Sequence, residues 1–122
     1  MKLRVLVVDD DPLQLELAQR GLERDGFEVH GVGMLAGMRE VAARVLPHIV
    51  LVDLNLPDAP EQRVIATARA AAPGALLVLY SAWEDSKLRA LAREHGADGF
   101  ISKSESVINI GRRLRELHQG AR

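Results

Sequence analysis

Three segments of this chain, LRVLVV (3–8), HIVLVD (48–53) and ALLVLY (75–80), are almost unbroken aliphatic runs. They are too short for a one-sided helix and lack the polar alternation of a strand wet on one face. A strand covered on both faces has this pattern, and such strands belong to parallel sheets with helices packed above and below. FEVHGV (27–32) and DGFISK (98–103) are also strand-sized and bring the set to five. FEVHGV mixes polar and apolar positions, which suits an edge.

Between these segments the apolar residues recur at helical spacing. Leu13, Leu17, Ala18 and Leu22 mark a first helix that runs from Pro12 to near Gly26. Asp11 before Pro12 has the chemistry of an N-cap followed by proline at the first helical position. Met38, Val41, Ala42 and Val45 mark a second helix that stops before Pro47. Val64, Ile65 and Ala68 mark a third, ending at Pro73-Gly74, and Leu88, Leu91 and Ala92 a fourth, stopped by Gly96. Val107, Ile108, Leu114 and Leu117 mark the last. Strands alternating with helices imply an α/β domain with a parallel sheet and right-handed crossovers. No internal repeat, low-complexity tract or linker divides residues 1–122, so a single domain is expected.

A chain of 122 residues, 48% apolar but only 3% aromatic, can bury a sizeable core that must be largely aliphatic. Its 16 basic and 17 acidic residues nearly cancel, so no global field draws it to nucleic acid or to a membrane surface, and neither is expected as a direct partner. Arg112, Arg113, Arg115 and Arg122 read as a solvated helix face. The absence of cysteine excludes disulfides and thiolate metal sites. No apolar run reaches membrane-spanning length and no signal-peptide pattern precedes the acidic cluster, so a cytoplasmic location is expected.

Parallel strands all end at one edge, where ligands of open α/β sheets bind. The strand ends are therefore the place to look for chemistry. The first delivers Asp9 and Asp10, the third Asp53 followed by Asn55, the fourth Ser81 and the fifth Lys103. Crowded carboxylates raise one another's pKa unless a cation neutralises them, and an all-oxygen set favours a hard ion such as Mg²⁺. Lys103 offers a compact positive charge and Ser81 a hydroxyl, both matched to phosphate oxygens. Together these groups describe phosphoryl transfer onto a carboxylate, with Asp53 the candidate nucleophile because its strand lies between the others.

Other readings of the same residues stand beside this one. Asp9 and Asp11 have the D-x-D spacing of phosphatases and phosphotransferases, which would make Asp9 the nucleophile. A flavin site on this topology would need a hydroxyl- and glycine-rich loop where three aspartates stand. A scaffold with the same acid pocket would bind partners without phosphorylation. Residue by residue, Asn55 could serve a turn, Ser81 could cap the helix before Glu84-Asp85, Lys103 could be a surface lysine, and Phe100 could be core. Trp83 is expected beside the mouth, either slowing the approach of water or facing a partner. His30, His48, His95 and His118 show no ligand spacing.

Four motifs in order, VVDDD (7–11), DLNLP (53–57), LYSA (79–82) and GADGFISKS (96–104), give the chain a resemblance along its whole length to the receiver domains of bacterial response regulators. That resemblance implies a flavodoxin-like, doubly wound sheet of five parallel strands in order 2-1-3-4-5 with five helices. It implies that Asp53 accepts a phosphoryl group from the phosphohistidine of a histidine kinase or phosphotransfer protein. Asp10, Asp53 and the Asn55 carbonyl would hold Mg²⁺, with Asp9 helping through water, while Ser81 and Lys103 would bind phosphoryl oxygens. The domain would phosphorylate and dephosphorylate itself, without turning over a free substrate as an enzyme does. Phosphorylation would move Ser81 and then Phe100, shifting the population toward a form whose fourth helix, fifth strand and fifth helix meet a new partner. An effector domain in a longer chain, DNA-binding or other, and a homodimer formed on phosphorylation are compatible with it.

The chain departs from the family pattern in two places. Ser104 follows Lys103 where proline is usual, and a cis bond before a non-proline costs roughly 2.5–4 kcal/mol, which leaves the geometry of that bond open. Asp58-Ala59-Pro60-Glu61 lacks the usual glycine, which leaves open where the third helix starts.

Overall fold

The computed structural model describes residues 2–104 and 107–120. Arg122 and the side chains of Val107 and Ile108, named above for the last helix, lie outside that description. Five strands, β1 (Arg4–Val8), β2 (Glu28–Val32), β3 (Ile49–Asp53), β4 (Leu76–Ser81) and β5 (Gly99–Ser102), alternate with five helices. The helices are α1 (Pro12–Arg24), α2 (Met38–Val45), α3 (Glu61–Ala71), α4 (Asp85–His95) and α5 (Val107–Gly120). The strands lie parallel in the order β2-β1-β3-β4-β5, the order implied by the resemblance. The mixed strand β2 is one edge, as its polar positions suggest, and the short β5 is the other.

Successive side chains of a strand point to opposite faces, so each aliphatic strand feeds two cores. Leu6, Val8, Val50, Val52, Leu77 and Leu79 pack against Met38 and Ala42 of α2, Val64, Ile65 and Ala68 of α3, and Leu88 and Ala92 of α4. Val5, Val7, Ile49, Leu51 and Val78 pack on the other face against Ala18 and Leu22 of α1 and Ile110 and Leu114 of α5. Each buried Leu, Ile or Val contributes about 1.5–3 kcal/mol through the area it removes from water. These two dry layers hold the strand ends in fixed register.

The boundaries follow local chemistry. Asp11 caps α1 by accepting from the backbone N–H groups of Leu13 and Gln14. Helix α4 ends on Gly96 in the left-handed region, where glycine carries no Cβ penalty. Helix α2 ends on Leu46, a non-glycine at φ 54°. The Arg4 guanidinium donates to the carbonyls of Val45 and Leu46, supplying partners at this otherwise costly stop before Pro47.

Three expectations change. Leu13 and Leu17 are 63% and 47% exposed, although the apolar spacing placed them with Ala18 and Leu22. At 100° per residue the buried stripe of α1 passes through Leu15, Ala18 and Leu22, and Leu13 and Leu17 fall on its far side. Ser81 does not cap α4, because that helix starts at Asp85 and Glu84 stands at the cap position without a side-chain bond. Phe100 is only partly buried at the margin of the α2–α3–α4 core, because β5 is an edge strand. The two open points are also settled: the third helix starts at Glu61 after Pro60, and no described peptide bond is cis, that between Lys103 and Ser104 included.

Candidate functional site

The end of β1 turns directly into α1, which places Asp9, Asp10 and Asp11 at the sheet edge in three different roles. Asp9 is 1% exposed; its Oδ1 accepts from the Asp11 N–H at 3.0 Å and its own N–H donates to Val32 O. Asp10 is exposed at the mouth, and Asp11 is committed to the helix cap. From the neighbouring β3, Asp53 is 4% exposed and its Oδ1 accepts from the Asn55 N–H at 2.9 Å. One oxygen from each of Asp9, Asp10 and Asp53 lies within 4.8 Å of the others.

Lys103 comes in from the far edge. Its N–H donates to Ser81 O at 2.7 Å, which extends the β4–β5 pairing by one residue and aims the side chain back across the strand ends. Its Nζ donates to Asp53 Oδ2 at 2.9 Å, Asp9 Oδ2 at 3.0 Å and Gln14 Oε1 at 2.6 Å. The bonds to Asp53 and Asp9 are charge-assisted bonds between largely buried partners, where such bonds are strongest, whereas Gln14 is exposed. Burial works against the ammonium, but the bonds from Asp53 and Asp9 outweigh it and hold the lysine pKa above its ordinary value. Asp9 moves upward as well, because burial of its carboxylate outweighs the Asp11 N–H and the Lys103 ammonium. The pocket thus keeps its lysine charged while its deepest acid is held under electrostatic stress.

A cavity of about 340 Å³ opens above these groups, lined by Asp10, Gln14, Asp53, Asn55, Ser81, Trp83 and Lys103 among others. Asp9 lies beneath it rather than on its wall. Ser81 is 1% exposed, and its hydroxyl accepts from the Trp83 N–H at 3.3 Å. Trp83 stands beside the mouth as expected, with the Lys87 ammonium 3.8 Å above its ring. Three carboxylates against one ammonium leave an excess of negative charge, and every free donor atom is an oxygen. That set fits a hard divalent cation and not a soft one. Space, acids and a lysine in one place suit the binding of a phosphoryl group.

The fold therefore brings together Asp9, Asp10, Asp53, Asn55, Ser81 and Lys103. Phe100 is elsewhere. It lines a second cavity of about 280 Å³ with Asp85, Ser102, Ser104 and Arg113, under the Arg89 guanidinium at 5.6 Å. Two features escaped the sequence reading. Gln14 is a polar residue in the first turn of a capped helix, and its one sequence signal was that this turn opens at the edge carrying the acids. His48 and His118 come from different elements, yet their rings meet edge-on with centroids 6.3 Å apart, at the opposite edge of the sheet.

Comparison with known proteins fits this geometry. A family model for the response regulator receiver domain matches residues 5–115. The transcriptional regulatory protein MctR of Rhizobium johnstonii is 35% identical over 112 residues, covering 89% of this chain and 52% of that protein. The DNA-binding response regulator MtrA of Mycolicibacterium smegmatis is 33% identical over 119 residues, covering 94% of this chain and 52% of that protein. A CheY-like receiver domain protein of Methanospirillum hungatei superposes with a TM-score of 0.85 over 98% of this chain and 96% of its own. At 22% identity that likeness speaks to the fold alone. The chain spans about half the length of the curated relatives it matches.

Proposed function

The chain belongs to the response regulator receiver domain family of two-component systems, and from that premise we propose that Asp53 is its phosphoacceptor. The observation that carries this reading is the Lys103 ammonium fixed 2.9 Å from Asp53 Oδ2, beside an acid cluster and below an open cavity. An Asp53 oxygen attacks the phosphorus of a phosphohistidine, a P–O bond forms, and the P–N bond breaks. The electron pair of that bond leaves with the imidazole nitrogen. Lys103 donates to the phosphoryl oxygens and offsets their charge, and the Ser81 hydroxyl supplies a further donor. Asp10, Asp53 and the Asn55 carbonyl would hold Mg²⁺, with Asp9 acting through water. When bound, the ion would neutralise charge on the acids and on the transferring group. Trp83 at the mouth narrows the approach of water to the acyl phosphate.

The donor is a histidine kinase or a phosphotransfer protein, and the output is a change of partner at the α4–β5–α5 surface, where Phe100 lies. Among the relatives named above are a transcriptional regulatory protein and a DNA-binding response regulator, which supports a DNA-binding effector as the output of a longer chain; a homodimer formed on phosphorylation is part of the same proposal. Among the described residues no helix is long and apolar enough to cross a membrane. The domain phosphorylates and dephosphorylates itself without turning over a free substrate as an enzyme does, so we class it as a switch.

The cavity favours Asp53 over Asp9 as nucleophile, since Asp53 is among its lining residues and Asp9 is not. Incubation with acetyl phosphate and Mg²⁺, followed by intact-mass measurement, tests the assignment. The native chain should gain one phosphoryl group, Asp53→Asn none, and Asp9→Asn a reduced amount. Full labelling of Asp53→Asn with none on Asp9→Asn would transfer the role to Asp9. No labelling of the native chain would favour a phosphorylation-independent scaffold.

A further inference from the structure

The Lys103 ammonium has three hydrogens, and the fold provides three acceptors for them. Two are the buried carboxylates of Asp9 and Asp53; the third is Gln14 Oε1, the shortest of the set at 2.6 Å. Gln14 is fixed at its base by the helix cap, because its N–H donates to Asp11 Oδ1 at 3.3 Å. The chain Asp11, Gln14, Lys103 thus ties the first turn of α1 to the residue after β5.

A lysine at this position has a second place to go. Behind it lies a cavity of about 180 Å³, lined by Gln14, Leu17, Tyr80 and Lys103. The Tyr80 ring there sits 5.1 Å from Nζ, close enough to attract a cation. Gln14 and Lys103 line both this cavity and the one above Asp53, so their hydrogen bond forms the partition between the two. Asp9 and Asp53 draw the ammonium to their side, and Gln14 gives its third hydrogen a partner there against the pull of the Tyr80 ring.

We propose that Gln14 is a positioning residue for phosphoryl transfer: it latches the Lys103 ammonium on the Asp53 side of the partition. A neutral amide does this without adding a fourth negative charge to the acid cluster, which would oppose an incoming phosphoryl anion. This inference rests on the phosphoacceptor reading for its effect on rate, but not for its effect on the lysine itself.

The test compares the native chain with Gln14→Met and Gln14→Glu. Methionine keeps the length and helix propensity but offers no strong acceptor, whereas glutamate keeps the acceptor. The first readout is the Lys103 ammonium signal in ¹⁵N NMR, identified by its absence in Lys103→Met. It should be sharp in the native chain and in Gln14→Glu, and broadened or lost in Gln14→Met at unchanged melting temperature. The second is the rate of phosphorylation by acetyl phosphate with Mg²⁺, which should fall about tenfold in Gln14→Met, as expected for losing one charge-assisted contact that orients a reacting group. An unchanged lysine signal in Gln14→Met would overturn the latch, and so would its loss in Gln14→Glu or an unchanged rate in Gln14→Met. If the native chain takes no phosphoryl group, the phosphoacceptor reading fails instead, and the ammonium signal alone decides whether Gln14 holds Lys103.

Discussion

Asp9 and Lys103 depend on one another. Asp9 is buried, and the ammonium at 3.0 Å is the cation placed to offset its carboxylate. Replacing Lys103 with methionine leaves that carboxylate without a counter-charge, a loss that costs about 3–5 kcal/mol where both partners are fully buried. Because the lysine side chain is 14% exposed, we expect about 2–3 kcal/mol in urea unfolding at neutral pH without divalent ions. Added Mg²⁺ should restore part of it. An unaltered midpoint would mean that Asp9 is not charged in the native state.

At the scale of elements, the α1–α5 contact explains a glycine that helix propensity alone would disfavour. A Cβ on Gly111 would collide with the Asp25 carboxylate and stand 3.0 Å from Asp25 Cβ, at the end of α1. Alanine in a helix interior normally gains about 1 kcal/mol over glycine. Here Gly111→Ala should instead destabilise the domain by about 1 kcal/mol, because the Cβ of Asp25 moves only with its backbone. Denaturant unfolding gives the sign. At the opposite edge, the Arg4 N–H donates to His48 Nδ1 at 2.9 Å and joins β1 to the start of β3. Burial, then Arg4 and His118, lower the His48 pKa below the ordinary 6.5, with Glu28 opposing weakly. The unfolded chain therefore takes up this proton more readily, so stability is lost as pH falls from 6.5 through the lower native value and is flat above 6.5. Replacing His48 with glutamine should remove that part of the slope in melting temperature against pH.

Across the whole molecule, what could be read in advance follows from how strongly each feature is constrained. The aliphatic runs at 3–8, 48–53 and 75–80 announced strands buried on both faces, because they are strand-sized and alternate with segments of helical spacing. The acids were legible because parallel strands share an edge, so Asp9, Asp10, Asp53 and Lys103 had to meet once the strand order was known. Leu13 and Leu17 misled because apolar residues four apart mark one face of a helix without saying which face is buried. Gln14 and the His48–His118 pair were silent, because each is defined by a neighbour from a distant element and by no spacing of its own. Helix α1 thus meets this edge twice, through its Asp11 cap and through the hydrogen bond between Gln14 and Lys103.

The central claim is that this edge turns the Asp53 carboxylate into an acyl phosphate. Treating the chain with acetyl phosphate and Mg²⁺, reducing it with borohydride and mapping the peptides by mass tests this directly, since reduction converts a phosphorylated aspartate into homoserine. Homoserine should appear at position 53 and depend on Mg²⁺. Homoserine at position 9 or 10, or none under conditions that phosphorylate a known receiver domain, would contradict the account.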